Sequence, residues 1–309
     1  VRTTFAATLT EIARADPRVL LLTADLGFMA LEVFSDALPE QFYNVGVAEQ
    51  NMVGLATGLA GDGFIPFLYS IAPFASLRSY EFIRNGPVLH RLPVRIVGVG
   101  AGFEYGPAGP THHAIDDAAA LRPQPGLTIV TPADAAQTRA ALLATWSQPG
   151  PVYYRIGKDE RTSVPGLEGR FRSGRTEIVR EGRDLALVAI GAPAAEACAA
   201  ADLLAERGLR ATVAVVSTFN PSPVADLAEI ARAHPLVVTV EAQYVNGGLG
   251  SLVAETIAED GGGARLVRIG VREPAQPRSG SQAFYHDLHG LGRRAIADRA
   301  IALLAGEAV

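Results

Sequence analysis

The sequence is short of cysteine, of lysine and of long apolar runs. It holds one cysteine, Cys198, in 309 residues. A lone thiol excludes an intrachain disulfide framework and any zinc site built on paired cysteines. It fits a reducing, cytoplasmic setting. Lysine is confined to Lys158, and 27 basic residues face 32 acidic ones, for a net charge of −5. That balance leaves no electrostatic footprint for nucleic acid. The apolar runs Val19–Leu22 and Leu185–Ile190 are strand-length, far below the ~20 residues of a spanning helix. No membrane association is expected. The N-terminus moves from Val1-Arg2-Thr3-Thr4 straight into an amphipathic pattern, without the apolar stretch of a signal peptide.

What is present is material for a core. Apolar residues make up 49% and charged residues 19%, which rules out wholesale disorder. The length corresponds to roughly two domains. Short β-rich runs alternate with longer Ala/Leu-rich helical patterns. Strands are expected at Val19–Thr23, Phe64–Tyr69, Val94–Gly98, Leu127–Val130 and Val152–Tyr154. Helices are expected between them at Thr4–Arg14, Glu49–Ala60, Phe74–Asn85, Ala114–Leu121 and Ala133–Trp146. Continuous apolar strands interleaved with helices indicate a parallel sheet covered on both faces. The same alternation returns after residue 183, from a strand at Asp184–Ile190 to a final helix at Arg293–Leu304. The expected fold class is therefore α/β, with two parallel-rich sheet domains at residues 1–160 and 184–309. The arginine-rich stretch 161–183 between them reads as a solvated or partner-facing connection, with a short strand at Thr176–Val179.

Several motifs invite a chemical reading. Gly61-Asp62-Gly63 matches the start of a magnesium–diphosphate motif, but the segment Val88-Leu89-His90-Arg91-Leu92 downstream lacks the Asn and Asp ligands. Magnesium demands hard oxygen donors, so a glycine turn is the better reading, and no metal ligand is assigned. Gly247-Gly248-Leu249-Gly250 follows a strand and opens a helix as a phosphate cradle does. It lacks the full spacing and a partner lysine, so close helix–sheet packing explains it better. Thr111-His112-His113 follows a glycine-rich approach, Gly98–Gly109. Either histidine serves equally well as a core or capping residue, or as a group closing on a ligand at the carboxyl end of a strand.

The most informative segment is Tyr43-Asn44-Val45-Gly46-Val47-Ala48-Glu49-Gln50-Asn51-Met52. Glu49 opens an apolar helix, where an acid favours the helix dipole by ~0.3–1 kcal/mol. The whole string also resembles the Val-Gly-x-Ala-Glu-Gln-Asn-Met signature of the transketolase family. Thr23-Ala24-Asp25-Leu26-Gly27, Leu92-Pro93-Val94 and Gly109-Pro110-Thr111-His112-His113-Ala114 follow that family's order. Val240-Glu241, Gly247-Gly248-Leu249-Gly250-Ser251 and Arg268-Ile269-Gly270 resemble its C-terminal domain.

The resemblance spans essentially the whole chain and implies two of the family's three domains, the pyrimidine-binding and C-terminal ones. It implies a subunit of a split transketolase, moving a two-carbon ketol unit from a ketose to an aldehyde. The cofactor would be thiamine diphosphate, with magnesium held by a partner. That partner would be a diphosphate-binding N-terminal subunit, in an α2β2 heterotetramer.

By resemblance, Glu49 hydrogen-bonds a ring nitrogen of the aminopyrimidine, which requires a carboxyl group able to share a proton. Phe74 supplies a stacking wall, and Ile71 holds a second wall position that is often aromatic in relatives. Asp25 orders the site near the cofactor. His112 approaches substrate oxygens. Arg2 and Arg155 hold the distal phosphate of a sugar phosphate, for which a guanidinium fork is suited. Relatives acting on pentose and hexose phosphates add a histidine and an aspartate where this chain has Gly100 and Ala108, so a modified sugar or another small hydroxyketone is the expected substrate. Two other readings compete. The β subunit of a 2-oxoacid dehydrogenase shares the layout but not the Ala-Glu-Gln-Asn and Thr-His-His strings. A non-catalytic scaffold would explain Gly100 and Ala108.

Overall fold

The computed structural model describes residues 1–306. The first sheet is built from β1 (Val19–Thr23), β2 (Phe42–Asn44), β3 (Ile65–Ile71), β4 (Arg95–Val99), β5 (Thr128–Val130) and β6 (Val152–Ile156). The second follows with β7 (Thr176–Arg180), β8 (Leu185–Ile190) and β9 (Ala211–Val216). Next, β10 (Thr218–Asn220) crosses back to pair antiparallel with β5, and β11 (Leu236–Tyr244) and β12 (Arg265–Val271) complete the second sheet. The strand orders are β10-β5-β6-β4-β3-β1-β2 and β12-β11-β8-β9-β7. All pairings are parallel except β10 with β5 and β7 with β9.

Every residue of β1, β3, β4 and β6 is buried, which accounts for their mostly apolar character. The cation on β4 is satisfied internally. Arg95 is fully buried and donates to the carbonyls of Trp146 (2.8 Å), Gly150 (2.5 Å) and Gln148.

Three expectations need correction. The helix expected over Phe74–Asn85 is two wide π-type turns, Phe74–Arg78 and Arg84–Val88, flanking a short α-turn at Tyr80–Ile83. Pro87, inside the second turn, has no N–H to give a regular ladder. The helix expected from Ala114 begins at Asp117, because Ala114 is tied to Gly102 by a two-way backbone bridge. The arginine-rich connection is not simply solvated. Arg172 pairs with Glu177 (2.9 Å) and Arg175 with Asp226 (2.9 Å), which fastens β7 onto the second sheet as its antiparallel edge.

The parallel strands of the first sheet end on one side, at Thr23, Asn44, Ile71, Val99 and Ile156. In open α/β sheets this carboxyl edge is where ligands bind.

Candidate active site

Glu49 stands at the start of the helix Glu49–Gly61, just beyond β2, and is 1% exposed. A buried carboxylate is costly unless its lone pairs are engaged. Here Oε1 accepts a hydrogen bond from Ser70 Oγ on β3 (3.1 Å), and Oε2 accepts one from Arg78 Nη1 (2.6 Å). The Arg78 guanidinium carbon lies 4.3 Å from the centre of the Phe74 ring. The wide turn Phe74–Arg78 brings these two side chains to one face.

His112 meets the Phe74 ring edge-on at 5.0 Å, and its Nδ1 is 2.9 Å from Thr111 Oγ1. The structure thus brings Glu49, Phe74 and His112 into one chain of contacts through Arg78. Ile71, at the end of β3, is buried in the apolar cluster against which Phe74 packs. Asp25 lies on the exposed turn after β1, with φ +55°. Its carboxylate accepts from Asn44 Nδ2 (2.8 Å) and its N–H donates to Asn44 Oδ1 (3.1 Å), which joins the ends of β1 and β2.

The two candidate phosphate ligands part company. Arg2, in the first turn of the opening helix, lies close to the side chains of Tyr69 and Tyr105, and its Nε is buried without a hydrogen-bond partner. Arg155 is 4% exposed and turned inward. Its Nε donates to Asp117 (3.0 Å), and its Nη2 donates to the carbonyls of Ala114 (2.6 Å) and Ala242 (3.5 Å). Tyr153 donates to the same Asp117 carboxylate (2.6 Å). In this structure the Arg155 guanidinium is not an open fork: it is engaged internally and ties the first domain to β11 of the second.

A cation that the sequence pattern does not single out also faces Tyr105. Lys158, just past β6, holds its Nζ 4.7 Å from the centre of the Tyr105 ring, and that ring is 6.4 Å from the imidazole of His112. Lys158 is the only lysine in the chain, and that isolation was the available signal. Beneath it, Glu104 accepts the backbone N–H of Lys158 (2.6 Å) and of Asp159 (3.4 Å). Desolvation pushes the Glu104 carboxyl up to about 7.

His113 differs from its neighbour. It is 4% exposed, edge-on to Phe103 (5.2 Å) and Tyr285 (4.7 Å), and both ring nitrogens lack a hydrogen-bond partner. Burial lowers its proton affinity, so it acts as a neutral packing group. The glycines of Gly247–Gly250 also have a structural use. Glu241, fully buried, accepts the N–H groups of Leu249 (2.6 Å) and Gly250 (2.8 Å), so the helix start there is capped by the protein's own carboxylate.

Comparison with known proteins identifies the family. Residues 1–162 match the model of the transketolase pyrimidine-binding domain, and residues 174–296 match that of the transketolase C-terminal domain. The chain belongs to the transketolase family. It is 36% identical to one subunit of an apulose-4-phosphate transketolase from Phocaeicola vulgatus, over 87% of this chain and 86% of the relative. It is also 36% identical to a 6-deoxy-6-sulfo-D-fructose transketolase subunit of a Clostridium species, over 88% and 85%. A solved split-gene transketolase, described as an inactive β4 tetramer, superposes with a TM-score of 0.87 at 35% identity, covering 98% of this chain and 97% of that one. Among the described residues no helix is long and apolar enough to cross a membrane.

Proposed function

We propose that this chain is one subunit of a split, thiamine diphosphate-dependent transketolase, which transfers a two-carbon ketol unit from a ketose to an aldehyde. The observation that carries the reading is the buried Glu49 carboxylate linked through Arg78 to the Phe74 ring at the carboxyl edge of the sheet. A fixed carboxyl and a flat apolar face reached by one side chain fit a ring that must be both stacked and hydrogen-bonded. The bound cofactor supplies the electron sink for the carbon–carbon chemistry. Glu49 holds a proton at a ring nitrogen of the aminopyrimidine, and Ser70 fixes the carboxyl group in place. Phe74 and the cluster around Ile71 form the wall, while Asp25 steadies the turn beside it. His112 reaches toward substrate oxygens.

The distal end of the substrate falls to Arg2 and Lys158, which converge on Tyr105. Two cations suit an anionic sugar end, phosphate or sulfonate. Two relatives of matching length are named for an apulose 4-phosphate and a sulfofructose, and both carry such an end. Magnesium is a different matter. That ion takes one or two carboxylates together with phosphate oxygens, and the Gly61-Asp62-Gly63 turn lacks the Asn and Asp partners of such a set. It is assigned to a diphosphate-binding partner, in an α2β2 assembly working in the cytoplasm.

The test is reconstitution. The chain is co-expressed with a diphosphate-binding transketolase subunit from the same organism, and ketose donors are screened against aldehyde acceptors. Turnover and tight cofactor binding are expected of the mixture alone. Tight binding of thiamine diphosphate and magnesium by the isolated chain would contradict the reading.

A further inference from the structure

Arg78 makes two contacts at once: a 2.6 Å ion pair with the otherwise buried Glu49, and a cation–π contact with Phe74 at 4.3 Å. These are the two contacts that a hydrogen-bonded, stacked aminopyrimidine requires from the same side chains. The guanidinium resembles such a ring in the relevant respects, being flat, π-delocalised and edged with N–H donors. Both groups would seek the lone pairs of Glu49 and a face of Phe74. The Arg78 side chain is 41% exposed, whereas that of Glu49 is 1% exposed. The arginine is therefore the partner with room to move, and the carboxylate is the fixed one.

We propose that Arg78 is a displaceable positioning residue, which holds Glu49 and covers Phe74 until the aminopyrimidine takes over both contacts. The inference rests on Glu49 being the cofactor's partner, as argued above. In this arrangement Arg78 keeps a buried carboxylate from standing unpaired, a state that costs several kcal/mol. It also sets the Glu49 oxygens in the geometry that the ring later uses. Cofactor binding is then an exchange of partners, and part of the ring's binding energy goes into moving the guanidinium.

The test measures thiamine diphosphate affinity by calorimetry on the complex with the diphosphate-binding subunit, at saturating magnesium. Wild type is compared with Arg78→Ala, Arg78→Gln, Arg78→Lys and Glu49→Ala. Removing the competitor should tighten binding roughly tenfold to 100-fold in Arg78→Ala and Arg78→Gln, the scale of one competing charge-assisted hydrogen bond. Arg78→Lys, which keeps the charge but not the flat fork, should fall between them and wild type. A merely structural role for Arg78 predicts weaker binding, so unchanged or weaker binding in both neutral variants would overturn the proposal. Glu49→Ala separates the two ideas. If it weakens binding while the Arg78 variants do not tighten it, the exchange is wrong and the Glu49 reading stands. If Glu49→Ala leaves binding untouched, the Glu49 reading itself has failed. Circular dichroism and co-purification with the partner confirm that each variant folds and assembles, and the glutamine variant guards against loss of the alanine one.

Discussion

Gly100 and Tyr105 occupy each other's space: Gly100 sits at φ +85°, and a β-carbon built on it would overlap the Tyr105 ring. Gly100 is one of the two positions where the resemblance implies a departure from relatives acting on pentose and hexose phosphates. Its missing side chain is what admits the tyrosine beside His112. Placing alanine at Gly100 combines backbone strain with a steric clash. Gly100→Ala is expected to lose more than about 1 kcal/mol of stability and to lower activity by moving Tyr105. Thermal unfolding of the variant checks the first and steady-state kinetics the second.

Arg155 and Asp117 form a buried ion pair that Tyr153 completes. Removing one partner strands the other charge. Arg155→Met should therefore cost about 3–5 kcal/mol, seen as a large shift in the denaturation midpoint. If Arg155 were instead a phosphate ligand, the variant would fold normally and lose affinity only for phosphorylated substrates.

Lys158 and Arg2 carry the opposite expectation. Lys158→Ala should leave stability nearly unchanged and raise KM for a ketose with an anionic end by roughly tenfold or more, the loss of one charged hydrogen bond. A small uncharged hydroxyketone donor should be used as well as before. Equal loss on both donors would remove Lys158 from the distal subsite.

Glu104 ties stability to pH. Desolvation raises its carboxyl from 4.5 to about 7 in the folded chain, so between those values the folded state binds more protons than the unfolded one. Stability from this group is fully present below about 4.5 and is lost as pH rises through about 7. The span corresponds to a contribution on the order of 3 kcal/mol. Glu104→Gln should flatten this part of the stability–pH curve and leave the variant more stable than wild type at pH 8. Chemical denaturation at pH 5, 6, 7 and 8 reads the effect.

Much of this architecture is legible in the chain itself, for physical reasons. The strand β1 and the helix Arg293–Leu304 fall at their expected bounds, because burial on both faces or one imposes a regular apolar pattern. Short edge strands escape it. The three residues of β2, Phe42–Asn44, are half-buried or exposed, and β10 owes its place to pairing with β5, a strand far earlier in the chain. In the site, Glu49 announces itself through its local string. Arg78 does not, since its partnership with Glu49 spans 29 residues and depends on a widened turn. The internal engagement of Arg155 escapes the sequence for a related reason. A strand-end arginine has the same sequence signature whether it faces a ligand or a buried aspartate.

Cofactor activation by Glu49 is read most directly in the acidity of the thiazolium C2 position of the assembled enzyme. Hydrogen–deuterium exchange there, followed by rapid acid quench and proton NMR, isolates activation from substrate binding. With Glu49→Ala in a complex that still holds the cofactor, the exchange rate should fall roughly 100-fold or more. Exchange at the wild-type rate would contradict the assignment of Glu49, and with it the proposed function.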